Sequence, residues 1–198
     1  PWRSFSQNIL WGDENQIAHT NKMNAAELIV RAINTEKNPV TIICLGSLTN
    51  LADAMNVNPG IREGINKIIW YNDSIHPNSG INYEIDPKAA AFVLNSNIPL
   101  SVVTNFNQDG FGFSQLLFKS IESLQSPYAQ KIAKSHNQEA VLQKINSNHL
   151  KIWDELVAIY TLYPNLFDST RFKKYPSHSI RRMIQPEKIE NILSEILI

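Results

Sequence analysis

Apolar residues at helical spacing begin the periodic part of the chain. They predict an amphipathic helix that starts at Asn24 and ends near Lys37, because Pro39 cannot continue a helix. The residues with this spacing are Ala25, Leu28, Ile29, Ala32 and Ile33. Residues 1–23 before them are polar and aperiodic, and we interpret that segment as a surface connection or the remnant of a longer element.

Three short apolar runs predict β-strands at residues 40–45, 67–71 and 99–104. The first run is rich in β-branched side chains and is followed by Gly46, which is typical of a strand buried on both faces. Helices are predicted between the strands at residues 48–57 and 87–95, the second with Asp86 as its N-cap. This alternation predicts a parallel sheet with right-handed crossovers, and therefore an α/β fold.

The chain after Gly112 is predicted to be helical, and no strand is expected after Thr104. The expected helices cover residues 115–124, a stretch after Pro127, and residues 139–149, 153–163 and 186–197. Because no repeat or long linker divides the chain, we expect a single α/β domain over residues 1–198. It would have a mostly parallel, Rossmann-like sheet, flanking helices and a helical C-terminal half.

Charge and cysteine content exclude several classes of function. The 198 residues include 18 basic and 18 acidic side chains, so nothing favours nucleic acid, and we expect a small or neutral ligand. The longest apolar runs are far shorter than the roughly 18–20 residues that cross a bilayer, so no membrane span is predicted. Cys44 is the single cysteine, which excludes an intrachain disulfide, and the histidines lack the spacing of a zinc hydrolase.

Loops at the ends of the predicted strands are the first candidates for a functional site. Ligands of parallel sheets bind at the carboxyl ends of the strands, which here are residues 45–46, 70–73 and 104–107. Residues 46–50 form either a tight turn that caps the next helix or a loop whose backbone faces a ligand.

Two polar side chains near predicted helix starts are further candidates. Asn82 either binds a sugar hydroxyl, since an amide both donates and accepts hydrogen bonds, or belongs to a polar loop that caps its helix. Asp154 begins a helix, where an acid usually complements the helix dipole. Spacing alone leaves both alternatives open.

Three segments, in order, resemble the nucleoside hydrolase family of inosine-uridine preferring N-ribohydrolases. Residues 40–52 resemble the stretch around its G-P-L-T-N-x-A signature, with Ser47 in place of the proline. Residues 82–90 resemble its E-F-N-x-x-x-D-P-E-A-A block, and residues 153–158 resemble its H-D-P-x-A-x-A block. Order and spacing fit over about residues 24–165. The resemblance implies hydrolysis of the N-glycosidic bond of ribonucleosides to ribose and base.

The resemblance also implies a calcium ion that holds the ribose hydroxyls and a water molecule. Asp154 and the Leu45 carbonyl would be calcium ligands, and Asn82 would contact the ribose. Trp70 would lie under the sugar, and Trp153 would offer an aromatic surface to the substrate. The ligand would then be a nucleoside or another ribosyl molecule. Members of the family are commonly homo-oligomers, but this analogy leaves the oligomeric state of this chain open.

Several residues depart from the family pattern. The D-x-D-x-G-x-D-D run that supplies the family's catalytic base and most calcium ligands does not occur in these residues. Trp153 replaces the histidine that often protonates the leaving base, Gly80 replaces a glutamate, and residues 71–73 stand where glycines are common. A single carboxylate with one carbonyl cannot hold calcium tightly.

These departures lead to two hypotheses. The segment Pro1–Gln7 has neither a methionine nor an apolar signal region, so we expect the chain to begin within a longer protein. The chain would then lack the N-terminal strand and helix of the family fold, the catalytic base would lie upstream of Pro1, and the 198 residues alone would be inactive. The alternative is a catalytically inactive relative that keeps the fold to bind a nucleoside, another ribosyl ligand or a protein partner.

Overall fold

The computed structural model describes residues 23–74, 76, 78–105 and 111–198, together with Phe5 and Ile9. Most of the aperiodic segment 1–23, and the interpretation given to it, therefore lies outside the described residues. The chain divides into two compact units. The α/β unit comprises Asn21–Asp109 and Trp153–Ile184, and the helical unit comprises Pro1–Thr20, Gly110–Ile152 and Gln185–Ile198.

The described part of the α/β unit contains a five-stranded sheet. Its strands are β1 (Val40–Cys44), β2 (Ile65–Tyr71), β3 (Leu100–Val103), β4 (Thr170–Arg171) and β5 (His178–Arg181). Their spatial order is β1-β2-β3-β5-β4, and every pairing is parallel except that of β4 with β5. The predicted α/β fold with a mostly parallel sheet is confirmed.

Nine α-helices lie in the described residues. They are α1 (Ala25–Thr35), α2 (Thr49–Val57), α3 (Ile81–Ile85), α4 (Pro87–Leu94), α5 (Gln115–Ser123), α6 (Pro127–His136), α7 (Glu139–Asn146), α8 (Glu155–Leu162) and α9 (Ile189–Ile196). All of them except α3 were predicted, with ends within a few residues of the observed ones. None of these helices has the length and apolar character needed to cross a membrane.

The prediction that no strand follows Thr104 is wrong. Strand β5 runs parallel to β3, with Leu100 opposite His178 and Val103 opposite Arg181. Its sequence, His-Ser-Ile-Arg, has no apolar run, so periodicity gives no signal for a strand. The polar side chain is accommodated because the His178 ring bonds the Leu94 carbonyl at 2.8 Å and stacks on Tyr175. The C-terminal half is therefore not wholly helical.

Helices α1, α2 and α4 cover one face of the sheet. The core between them contains completely or almost completely buried side chains from both layers, including Leu48, Met55, Ile68, Trp70, Val93 and Val102. Helix α8 contacts β2 and β3, and the Tyr160 hydroxyl bonds the Ser101 hydroxyl at 3.2 Å. Tyr160 also accepts a 3.3 Å bond from Lys67 Nζ on β2. These contacts anchor α8 to β2 and β3.

Strand β1 differs from the prediction that both of its faces are buried. Within the described residues it pairs only with β2, so it lies at one edge of the sheet. Its side chains alternate between half-buried and exposed, and Ile43 is 48% exposed. The β-branched run predicted the strand correctly, but burial of a second face depends on neighbours that a local pattern does not encode.

Side-chain caps set the first turns of several helices. Asp86 accepts a 3.0 Å bond from the Ala89 N–H at the start of α4, which confirms the predicted N-cap. In the helical unit, Ser114 caps α5 by accepting from the Leu117 N–H at 3.0 Å. The Ser114 hydroxyl also donates to the carboxylate of Glu190, so α9 is held beside the start of α5.

Candidate functional site

The carboxyl ends of β1, β2 and β3 lie at one edge of the sheet. This follows from the parallel register, in which Cys44 is opposite Trp70 and Tyr71 is opposite Val103. The three loops that the sequence nominated therefore begin side by side, although residues 106 and 107 of the third loop lie outside the described residues.

Asn82 joins two of these strand ends. Its Nδ2 donates to the Leu45 carbonyl at 3.2 Å and to the Tyr71 carbonyl at 3.0 Å. Because both partners only accept, the amide orientation is determined, and Oδ1 is left as an acceptor with no donor among the described residues. Asn82 is half-buried in the first turn of α3, so this oxygen is available to a ligand hydroxyl.

Gly80 lets the chain turn tightly just before α3. Its φ is 104°, a backbone conformation that residues other than glycine rarely adopt. A Cβ there would lie 2.6 Å from Asn72 Oδ1 and 2.7 Å from Asp73 Oδ1. The next N–H, from Ile81, donates to Asp73 Oδ1 at 2.6 Å. A glutamate at position 80, as in the family that the sequence resembles, would not fit this backbone conformation.

Asn72 is fully buried beneath the same turn. Its Nδ2 donates to the Ser79 carbonyl at 2.7 Å, while its Oδ1 has no hydrogen-bond partner among the described residues. The amide fastens the loop after β2 to the residue before Gly80, so Asn82 is positioned by this loop as well as by its own hydrogen bonds.

Trp70 lies inside the core rather than at the surface of the site. It is completely buried, and its Nε1 donates to the Gly46 carbonyl at 2.9 Å. This bond supports the loop that follows β1. The structure therefore places the Trp70 ring beneath the loop that follows β1. A contact of Trp70 with a sugar stays a prediction.

The loop at residues 46–50 links two helix starts. The Ser47 and Thr49 hydroxyls are 3.0 Å apart, and Thr49 donates to Asp86 Oδ2 at 2.8 Å. The bonds from the Ala89 N–H and from Thr49 hold the pKa of Asp86 below its usual value. Neither hydroxyl caps α2, whose N-cap is Leu48 without a side-chain bond, so the simple capping interpretation of this loop is wrong.

Trp153 and Asp154 stand at the start of α8. Asp154 is the N-cap residue but makes no side-chain capping bond. Partial shielding of its carboxyl from water, and then the charge of Glu155, raise the pKa of Asp154 to about 6. The Trp153 side chain belongs to a residue that is 40% exposed, and the backbone N–H of Trp153 donates to Glu155 Oε2 at 3.0 Å. The carboxylate of Asp154 is therefore free of a capping role.

Tyr71 and Asn105 lie in two of the nominated loops, but the sequence assigned neither residue a role of its own. The buried Tyr71 hydroxyl donates to Asn105 Oδ1 at 3.2 Å. Burial raises the pKa of Tyr71, and the charges of Asp73, Asp154 and Glu155 raise it further. These charges put Asp154 within electrostatic reach of the end of β2. The sequence signal that could have singled out Asn105 was its position two residues after β3, at the edge of the sheet where ligands bind.

Comparison with known proteins identifies the family. Residues 7–183 match the sequence profile described as inosine-uridine preferring nucleoside hydrolase. The chain belongs to this family. The resemblance found in the three sequence blocks is thereby confirmed.

Similar proteins include nucleoside hydrolases of different base preference. The pyrimidine-specific ribonucleoside hydrolase of Enterobacter is 31% identical over 81 residues, which are 38% of this chain and 26% of that protein. A purine-preferring ribonucleoside hydrolase from Gardnerella vaginalis has a TM-score of 0.71 at 16% identity, covering 91% of this chain and 67% of that one. A plant nucleoside hydrolase has a TM-score of 0.74 at 15% identity, covering 94% and 71%.

These comparisons show which fold the chain shares and how much of each relative's length it matches. At such low identity the two solved structures show a shared nucleoside hydrolase fold. The match to the Enterobacter relative spans about a quarter of that protein's length, at 26%.

Calcium was implied only by the resemblance of the sequence, and the described residues supply only part of a calcium site. Among them, no group of three or more histidine, cysteine or acidic side chains could hold a metal ion. Asp154 offers one carboxylate, and the Leu45 carbonyl already accepts a bond from Asn82. Calcium takes about six to eight oxygen ligands. The described residues therefore do not complete a calcium site.

Proposed function

We propose that the whole protein is an N-ribohydrolase that cleaves the N-glycosidic bond of ribonucleosides with water, giving ribose and the free base. Membership of the nucleoside hydrolase family over residues 7–183 supports the reaction class. The observation that carries the proposal is the amide of Asn82, which two strand-end carbonyls hold through its Nδ2, so that its Oδ1 has no partner among the described residues. An acceptor held in this way suits a sugar hydroxyl.

Each candidate residue has a distinct part in this proposal. Asn82 would bind and orient the ribose through a hydroxyl group. Trp153, partly exposed at the start of α8, would offer its ring to the base. Trp70 would act indirectly, because its bond to the Gly46 carbonyl holds the loop after β1 in place. The group that activates water would come from outside the described residues.

Calcium is a separate part of the proposal. Asp154 and the Leu45 carbonyl would contribute two oxygens, and the remaining ligands would come from residues outside the described ones. Titration of the full-length protein with calcium, followed by calorimetry, tests this without any enzyme assay. We expect one site that Asp154→Asn weakens at least tenfold. Calcium binding unchanged by Asp154→Asn would contradict the assignment.

The proposed reaction is tested by ribose release from inosine and uridine. The full-length protein should hydrolyse at least one of them, and Asn82→Ala should lower kcat/KM about 10- to 100-fold, because one well-oriented hydrogen bond is lost. Asn95→Ala is the matched control. Its exposed side chain bonds the Ala91 carbonyl at the end of α4, before β3 begins. Absence of ribose release from every ribonucleoside would contradict the proposal.

A second candidate is an inactive relative that binds a nucleoside. The observation that favours it is Trp153, which stands where the family often has a proton-donating histidine. Calorimetry with inosine and uridine separates the two functions. Binding without ribose release would support the inactive candidate, whereas turnover by the full-length protein would exclude it.

A further inference from the structure

The hydroxyl of Tyr71 is a buried polar group with no part in the proposed reaction. Tyr71 is only 6% exposed at the end of β2, and its hydroxyl donates to Asn105 Oδ1 at 3.2 Å. This hydroxyl lies at the edge of the sheet where the carboxyl ends of the strands meet, and its burial there calls for a physical explanation.

In this structure the phenol bonds the oxygen end of the Asn105 amide. Since Oδ1 accepts from Tyr71, the two N–H groups of Nδ2 point away from the phenol. Nδ2 has no acceptor among the described residues, and Asn105 is half-buried, so these donors are accessible. A tyrosine hydroxyl is already protonated at neutral pH, and burial raises the pKa of Tyr71 further, so the phenol can donate this bond.

Asn82 and Asn105 present opposite chemistry at the same edge. Asn82 bridges the carboxyl ends of β1 and β2 and keeps an unpaired acceptor, whereas Asn105 follows β3 and keeps donors with no acceptor among the described residues. A nucleoside carries both kinds of group, because its hydroxyls donate and its hydroxyl or keto oxygens accept.

We propose that Asn105 is a second ligand-binding residue, which donates to a hydroxyl or keto oxygen of the nucleoside, and that Tyr71 is its positioning residue. This inference rests on the proposed function. It adds a specific recognition contact that the family resemblance does not supply, since neither residue belongs to the matching sequence blocks.

The first test measures nucleoside binding by the full-length protein. Asn105→Ala should raise the Kd of inosine about five- to twentyfold, as expected for loss of one hydrogen bond in a partly buried site. Asn105→Asp, which replaces the donors by acceptors, should raise it at least as much. Asn95→Ala should leave it unchanged, and thermal unfolding should show that every variant is folded.

The role of Tyr71 is tested by a double-mutant cycle. Tyr71→Phe keeps the ring but lets the Asn105 amide rotate, so it should weaken binding less than Asn105→Ala does. The double variant should bind no more weakly than Asn105→Ala alone, because the phenol acts only through the amide. Losses that simply add would overturn the positioning role.

Purine riboside, which has the same sugar as inosine but no keto group, distinguishes the two acceptors. If Asn105 reads the keto oxygen, Asn105→Ala should weaken binding of inosine alone; if it reads a sugar oxygen, both ligands should weaken equally. Unchanged binding of both ligands by Asn105→Ala, with an active wild type, would overturn this inference only. A wild type that neither binds nor hydrolyses nucleosides would overturn the proposed function as well.

Discussion

Single side chains at the strand ends act mainly by fixing the orientation of a neighbour. A primary amide has a donating and an accepting end, so a partner that only accepts, such as a carbonyl, determines which end remains. Asn82 is held in this way by two carbonyls, and Asn72 is held by the Ser79 carbonyl. The chemistry that each amide offers therefore depends on backbone groups distant in sequence.

Gly80 is the residue whose replacement should perturb this arrangement most directly. Gly80→Ala forces a side chain into a backbone region used almost only by glycine, at a cost of about 1–3 kcal/mol before any steric overlap. The new Cβ would also approach Asn72 and Asp73 within 2.7 Å. Urea unfolding should show this loss. Gly46→Ala is the control, because a Cβ there meets nothing within 4 Å, and equal stability of the two variants would contradict the prediction.

His136 in the helical unit makes stability depend on pH. Burial lowers its pKa from 6.5, although a bond to the Ile132 carbonyl partly offsets this. Between the folded pKa and about 6.5 the unfolded chain binds more protons, so stability should fall as pH drops below about 6.5, by at most about 1.4 kcal/mol per pH unit.

The pH dependence can be measured by unfolding between pH 7.5 and about 5. His136→Gln should reduce the acid loss, whereas the same substitution at the exposed His149 should retain it. An acid loss of the same size in both variants would mean that other groups cause it.

At the scale of elements, β5 shows how a strand can form without an apolar run. It lies between β3 and the short β4, so its backbone pairs on both sides. Ile180 is its buried apolar side chain, at 7% exposure. Pairing with β3 joins residues some 78 positions apart, such as Leu100 and His178, and this distance explains why the local pattern does not predict it.

The contribution of β5 can be measured with two isoleucines. Ile180→Ala removes buried methyl groups and should lower the free energy of unfolding by about 2–4 kcal/mol. Ile184→Ala, at a position 54% exposed, should change it by about 0.5 kcal/mol or less. Similar losses from both substitutions in denaturant unfolding would contradict the placement of Ile180 in the core.

At the scale of the whole molecule, metal binding and catalysis need more groups than the described residues contain. The described residues contain no cluster of three metal-binding side chains, and the aspartate-rich run of the family does not occur in the sequence. We therefore expect the 198-residue chain by itself to release no ribose from inosine or uridine in calcium buffer. Ribose release by this chain alone would contradict the prediction and would mean that it contains the catalytic base.

Much of the α/β unit could be predicted from the sequence because its signals are local. Strands β1 to β3 are apolar runs, α1, α2 and α4 have helical periodicity, and Asp86 caps its own helix. The family blocks added Asn82 and Asp154 as candidates. Each of these inferences uses residues that lie close together in the chain.

Only the tertiary structure decided which groups meet at the edge of the sheet. The bonds from Asn82 to Leu45 and from Tyr71 to Asn105 join residues 37 and 34 positions apart. Burial of Trp70 and exposure of Ile43 likewise depend on which elements pack beside them. The sequence by itself determined the order of helices and strands through local periodicity, whereas side-chain orientation at the site depends on contacts between distant residues.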